Sequence, residues 1–406
     1  MLNHKTAEPK QRSYDVVIVG GAIMGSATAW FLSRMSDFDG RILVIDRDLT
    51  FAQTSTAHTT SCIRQQFTSE LNIRISQYAA RFIKDLSGNM DHDANVRDLS
   101  IDNFGYLYLA NTSQAAQGLC EACDMQNRLG TPTQILKPDT LSERYPFYAL
   151  GDIILGSINT VDEGYFDSWA LFETFRSQAR KNGVEYIQNE VVAIGRTARK
   201  DRVAHVTLKS GETIACGQLV NASGPRAAQT AAMADLSLPV EPRKRFSWVF
   251  KAETPLDRPL PLTIDPSGIH VRENGGGTYQ AGGHTLPDPA VPPDDFAMDY
   301  SLWENHVWPI LAARIPQFEA VKVIAEWAGH YAFNTFDQNA IIGPHPDLPN
   351  FLLLNGFSGH GLQQAPAMGR GLSEWITYGT YRSMDLSAFH FERVLSETPH
   401  FEAAII

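Results

Sequence analysis

Val16-Val17-Ile18-Val19-Gly20-Gly21-Ala22-Ile23-Met24-Gly25-Ser26 decides how the rest of the chain is read. The β-branched run Val16 to Val19 predicts a buried strand, the glycines a tight turn, and Ala27 to Met35 a helix. In such a unit the backbone N–H groups of the helix N-terminus face the turn, so a pyrophosphate can rest there against the positive end of the helix dipole. A second strand, Arg41 to Ile45, ends in Asp46, which stands 21 positions after Gly25. A carboxylate at that spacing takes the ribose hydroxyls of an adenosine. Ala22 replaces the middle glycine of G-x-G-x-x-G, so one methyl holds the phosphates slightly further from the backbone. An acid at 46 rather than a basic residue argues against a 2′-phosphate, and so against NADP.

The 406 residues are enough for two domains with sizeable cores. A net charge of −11 with no basic run speaks against nucleic acid, and an anionic substrate would need a local cation. Residues 1–13 are polar and too short for a signal peptide, and no apolar run approaches the about 18 residues of a membrane span. The expectation is a cytoplasmic protein without a transmembrane segment. Four cysteines are too few for a disulfide framework, and Cys120-x-x-Cys123 has no second pair beside it. Its surroundings read as an amphipathic helix with two free thiols, and no metal site is expected. Without repeats or a low-complexity linker, any second domain must be inserted into the first.

Thr54 to Ser61 is a run of small hydroxyl residues that can bond a phosphate or ribityl chain, and Arg64 offers a fixed cationic fork for a carboxylate. Leu71, Ile75, Tyr78, Phe82 and Leu86 then recur at helical spacing. Residues 100–160 alternate short apolar runs with turns, which predicts strands rather than long helices. A helix follows at Trp169 to Lys181, then strands at Val184 to Val192 and Gln218 to Val220, the latter running into Asn221-Ala222-Ser223-Gly224-Pro225. Gly275, Gly276 and Gly277 read as a hairpin tip because no helix follows them. Trp327 and Tyr331 are either pocket walls or core. Near the far end, Phe351 to Leu354 leads into Asn355-Gly356-Phe357-Ser358-Gly359-His360-Gly361-Leu362-Gln363 and a helix, a second strand, glycine turn and helix dipole. No second dinucleotide unit stands in mid-chain.

On these motifs the sequence resembles the D-amino-acid oxidase-like superfamily of FAD enzymes, in its sarcosine oxidase and dimethylglycine dehydrogenase branch. Arg64-Gln65-Gln66-Phe67 and the segment from Trp327 to Gly361 look most like the mitochondrial-type FAD-dependent oxidoreductase domain proteins of that branch. The resemblance implies an α/β (α+β) fold: a discontinuous Rossmann-like FAD-binding domain (13–100, 160–228, 328–385) with an inserted, mostly antiparallel substrate domain (101–159, 229–327) and a C-terminal tail (386–406). It implies FAD held by Gly20, Ala22, Ile23, Met24, Asp46, Arg47, Ser55, Thr56, Val192, Ala222 and Gly224, with Gly359, His360, Gly361, Leu362 and Gln363 at the flavin ring. Arg64 would bind the substrate carboxylate, with His284 and His270 near the reacting atoms. Two lysines of the sarcosine oxidase pattern are Gln280 and Gln363 here, and its flavin-tethering cysteine is missing near Gly329 or His330. His58 stands where a histidyl tether would come, yet non-covalent FAD is the expectation. The implied reaction removes a hydride from the carbon beside a secondary or tertiary amine of an amino-acid-like substrate, with O2 or a separate redox carrier as electron acceptor. The alternatives are oxidation of primary D-amino acids, or a non-catalytic FAD-containing assembly protein.

Overall fold

The computed structural model describes residues 8–404. The β-branched run forms the strand Ser13–Val19, whose last four side chains are buried. A strand apolar on both faces belongs in the middle of a parallel sheet. It pairs in parallel with Ile42–Asp46 on one side and Thr213–Asn221 on the other. Glu185–Gln188 and Leu348–Asn355 extend the sheet outward, again in parallel, and Ile341–His345 closes one edge antiparallel. The sheet's further strands, Val191–Arg196 and Val203–Leu208, form an antiparallel meander with Thr213–Asn221. The helix Ile23–Leu32 packs on Ser168–Lys181 and Gly361–Tyr378, and the latter on Glu70–Lys84. Trp30, Phe82 and Phe175 meet between them at centroid distances of 5.4–5.8 Å.

The second sheet runs, in order, Val321–Asn334, Val240–Ala252, Thr278–Gly283, His270–Gly275, Leu262–Ile264, Tyr106–Ala110, Leu155–Asn159 and Gln134–Leu136. Every neighbouring pair is antiparallel except Leu262–Ile264 with Tyr106–Ala110. Strand alternation sorts its two faces. Phe246, Trp248, Phe250, Val271 and Ala281 point into a core of their own with Phe318. Ser247, His270, Arg272 and Gln280 stand on the opposite face, as do Tyr106 and Leu262, which pack against Cys62 of the first unit.

Several expectations need adjustment. Residues 100–160 hold a long helix, Ser113–Arg128, because Thr112 caps it by accepting from the Ala115 N–H at 3.2 Å. Cys120 and Cys123 lie on that helix, and all four cysteines are free. The strand expected over Val184 to Val192 is divided into Glu185–Gln188, whose parallel ladder ends with Asn189 N–H donating to Asp46 O at 2.9 Å, and Val191–Arg196, which pairs with Val203–Leu208. The strand Val321–Asn334 runs straight through residue 328 and pairs along its whole length with Val240–Ala252. Beyond residue 386 the chain packs into the first unit: Leu386 and Phe389 join its core, and Arg393 pairs with Asp337 at 2.6 Å. Among the described residues no helix is long and apolar enough to cross a membrane.

Candidate active site

A cavity of about 280 Å³ runs along the carboxyl end of the parallel sheet and onto the inner face of the second sheet. A surface hollow of about 480 Å³ between Pro146 and Ala320 contains none of the candidate residues. One end of the cavity is built by the first turn. Gly20 takes φ +99°, and a Cβ there would stand 2.3 Å from Ala222 O, so only glycine lets the two backbones meet. Ala22, Ile23 and Met24 line the wall at the N-terminus of Ile23–Leu32, where no side chain caps the helix. Thr56 Oγ1 accepts from Ile23 N at 3.4 Å, Ser55 Oγ donates to His330 O at 2.6 Å, and Arg47 pairs with Asp294 at 3.7 Å. Asp46 also lines this end. Its carboxylate accepts from Gly21 N at 2.7 Å and Asp48 N at 3.0 Å, while burial pushes its pKa up. Ala222 and Gly224 complete the wall.

The opposite end is the C-terminal turn. Gly359 has φ +95°, and a Cβ on it would enter the Tyr331 ring at 2.3 Å. Gly359, Gly361 and Leu362 line the cavity at the start of Gly361–Tyr378, which also lacks a side-chain cap. Among the described residues the three other helices of ten or more residues are each capped, by Ser69, Thr112 and Asp167. The two long-helix N-termini without a side-chain cap from their own N-cap residue are thus the two that open on the cavity, and their dipoles suit a phosphate and an electron-rich ring edge. His58 is on this wall too, its Nδ1 buried without a partner.

The structure separates other candidates from the cavity. Val192 is 45% exposed; Val191, in phase with buried Ile187 and Asn189, takes the lining position instead. His360 turns its ring away onto Phe67, at 5.6 Å between centroids, and burial lowers its pKa to about 3 with help from Arg64. Gln363 uses its Oε1 to accept from Arg64 N at 2.7 Å. His284 lies past the end of the strand Thr278–Gly283, its ring against Thr285 O at 2.9 Å and outside the lining, whereas His270 lines the cavity. Burial, with the charges of Arg272 and Arg245, pushes the His270 pKa down to about 4, which keeps the imidazole neutral at physiological pH.

Arg64 is 5% exposed, stacked 4.1 Å over Phe67. Its Nη1 donates to Gln66 O at 2.8 Å and Tyr108 OH at 2.6 Å, and its Nη2 to Ala404 O. Behind it, fully buried Glu163 accepts from Gln65 N, Gln66 N and Gln66 Nε2, and burial raises its pKa to about 7. Sequence reasoning had no means of finding Glu163, since a lone acid in a turn carries no spacing signal. Arg272 was legible only as an arginine two positions from His270 on one strand.

A phosphate turn, an acid at the end of the next strand and a second uncapped helix facing the same cavity define a flavin-dependent oxidoreductase of the two-domain type. Residues 15–375 match the family described as FAD dependent oxidoreductase (DAO), and the chain belongs to that family. It is 33% identical to FAD-dependent oxidoreductase domain-containing protein 1 of Xenopus laevis, over 98% of this chain and 86% of that protein. The Bos taurus protein of the same name is 35% identical, over 95% of this chain and 85% of its own length. Further out is the mitochondrial sarcosine dehydrogenase of Mus musculus, 22% identical over 95% of this chain and 42% of that protein. The crystal structure of L-proline dehydrogenase from P. horikoshii superposes with a TM-score of 0.82 at 24% identity, covering 96% of this chain and all of that one. FAD is the cofactor, and the fold is a Rossmann-like FAD unit joined to a substrate unit.

Proposed function

We propose that the chain oxidises the C–N bond of a secondary or tertiary amino acid to an imine, which water then hydrolyses. The observation that carries this is Arg64: a buried guanidinium behind the C-terminal turn with no carboxylate partner among the described residues. A guanidinium removed from water without a counter-ion is costly, and a substrate carboxylate would supply one in a bidentate fork. FAD, non-covalently bound, supplies the hydride acceptor. The residues that would hold it are Gly20, Ala22, Ile23 and Met24 at the phosphates, Asp46 at the ribose, and Gly359, Gly361 and Leu362 at the ring.

The protein's own part is placement. Arg64 fixes the carboxylate, so the adjacent C–H meets the ring end in one orientation, which removes much of the entropic cost of reaction. The amine must be neutral to release a hydride from its neighbouring carbon, and a neutral His270 with arginines around it disfavours a second positive charge on the substrate. Buried Phe357 and Ser247, with half-buried Tyr331, wall the cavity and limit water until the imine leaves.

The test is anaerobic mixing of the flavoprotein with sarcosine, dimethylglycine, longer N-alkyl amino acids, proline and D-amino acids while the flavin's visible absorbance is followed. Bleaching by the N-substituted compounds is expected. Bleaching by primary D-amino acids alone would move the assignment to that class, and no bleaching by any compound would favour a non-catalytic role. The rate at which colour returns on readmitting oxygen distinguishes O2 from a separate redox carrier as acceptor.

A further inference from the structure

Among the described residues, Arg64, Arg272, Arg314 and Arg393 are the arginines no more than 9% exposed. Two of them hold carboxylates: Arg314 pairs with Asp152 at 2.8 Å and Asp265 at 2.9 Å, and Arg393 pairs with Asp337 at 2.6 Å. Arg64 and Arg272 have none. Arg272 donates through Nη2 to Gln280 Oε1 at 2.7 Å and through Nη1 to Glu273 O at 2.7 Å, and it lies 5.2 Å from the Tyr165 ring centre. Its Nε is buried without a partner. So is Gln280 Nε2, because pinning the amide oxygen on Arg272 turns the amide nitrogen the other way. A buried cluster with a positive charge, two unspent N–H donors and no free acceptor calls for an anion.

The sheet register places this cluster relative to Arg64. Tyr108 stands beside Ile264, Ile264 beside His270, and His270 beside Gly282. Arg272 beside Gln280 forms the adjoining row on the same face, the face that His270 and Ser247 present to the cavity. Arg64 reaches this face at the Tyr108 hydroxyl. Two strand intervals, about 10 Å, separate the strand of Tyr108 from that of Arg272. A separation of that order matches the length of an amine with a carboxylate at each end.

We propose that Arg272 and Gln280 form a second anion subsite and that the substrate is a dicarboxylic amino acid, its second carboxylate carried on the nitrogen substituent or on the side chain. This rests on the reading of Arg64 as the site of the first carboxylate. The holoenzyme is titrated with two thioethers that lack the amine and cannot react, thiodiacetate and methylthioacetate, following the flavin spectrum. Thiodiacetate binds at least about tenfold more tightly, the increment of one charge-assisted contact. The preference falls to near one in Arg272→Met and is partly kept in Arg272→Lys, which retains the charge and loses the fork. Arg64→Gln weakens both ligands. Flavin reduction by iminodiacetate against N-methylaspartate tells the nitrogen-borne carboxylate from the side-chain one.

Equal affinity for the two thioethers in the parent protein overturns the proposal. So does an undiminished preference in Arg272→Met with normal flavin content. If Arg272→Met loses its flavin, the parent and Arg272→Lys titrations still decide. Flavin reduction by sarcosine without any dicarboxylate preference leaves the amine-oxidising function standing and removes this subsite, whereas failure of every ligand to bind or reduce removes both.

Discussion

The two sheets meet the same cavity with different chemistry. The parallel sheet contributes backbone: the helix N-termini that begin at Ile23 and Gly361, positive-φ turns at Gly20 and Gly359, and the single carboxylate of Asp46. The antiparallel sheet contributes side chains, His270 and Ser247 at the cavity wall with Arg272 and Gln280 buried on the same face, opposite an aromatic core. Backbone recognition fixes a ligand common to a family, because it depends on chain path. Side-chain recognition can change one residue at a time without disturbing the sheet. A conserved cofactor and a variable substrate suit that division of labour.

The comparison is broken hardest at Gly20. Gly20→Val sets a branched side chain into Ala222 O at a φ that valine avoids, and the protein is expected to be isolated without flavin, which its visible spectrum shows directly. Trp248→Ala strikes the other sheet's core, where the indole is fully buried. It should cost about 3–5 kcal/mol in denaturant unfolding, yet protein that remains folded keeps its flavin. If Trp248→Ala releases flavin as completely as Gly20→Val, the two sheets do not divide the work as described.

A smaller effect comes from Glu163, between the two sheets. Its pKa in the folded chain, about 7, lies above the ordinary value of 4.5, so the folded state binds its proton more tightly. Stability from this group is present below the ordinary value and is lost as pH rises through about 7. Glu163→Gln should therefore narrow the difference in Tm between about pH 5 and about pH 8; an unchanged difference would place the titration elsewhere. Smallest is Thr112→Ala, which removes the cap of Ser113–Arg128 far from the cavity and should cost about 1 kcal/mol with flavin affinity unchanged.

Legibility followed the same division. The strand Ser13–Val19, its glycine turn and Asp46 were readable because backbone sites leave local marks: β-branched runs, glycines and fixed spacing. The C-terminal turn was readable for the same reason. Val192 was one position off because which face of the strand is the inner one depends on packing against residues far apart in sequence, and that packing buries Ile187 and Val191. His284 was named from the family resemblance, but only the register across Thr278–Gly283 and His270–Gly275 decides which imidazole faces the cavity. The helix Ser113–Arg128 was legible around Cys120 and Cys123 as an amphipathic helix, while its length was hidden among the short apolar runs of 100–160. Arg64 was visible as a candidate. Its isolation from carboxylates, and that of Arg272, is a property of the packed interior that no linear reading contains.

The central strand has a further consequence for how the protein is made. Val17 is paired with Leu219, and Leu219 with Phe351, so this strand finds neighbours only far along the chain. Gly20 closes against the backbone of Ala222. A ribosome-bound chain therefore cannot close its phosphate turn until residue 222 has emerged, and one side of a hydrophobic strand waits unpaired meanwhile; cofactor loading follows that pairing rather than guiding it.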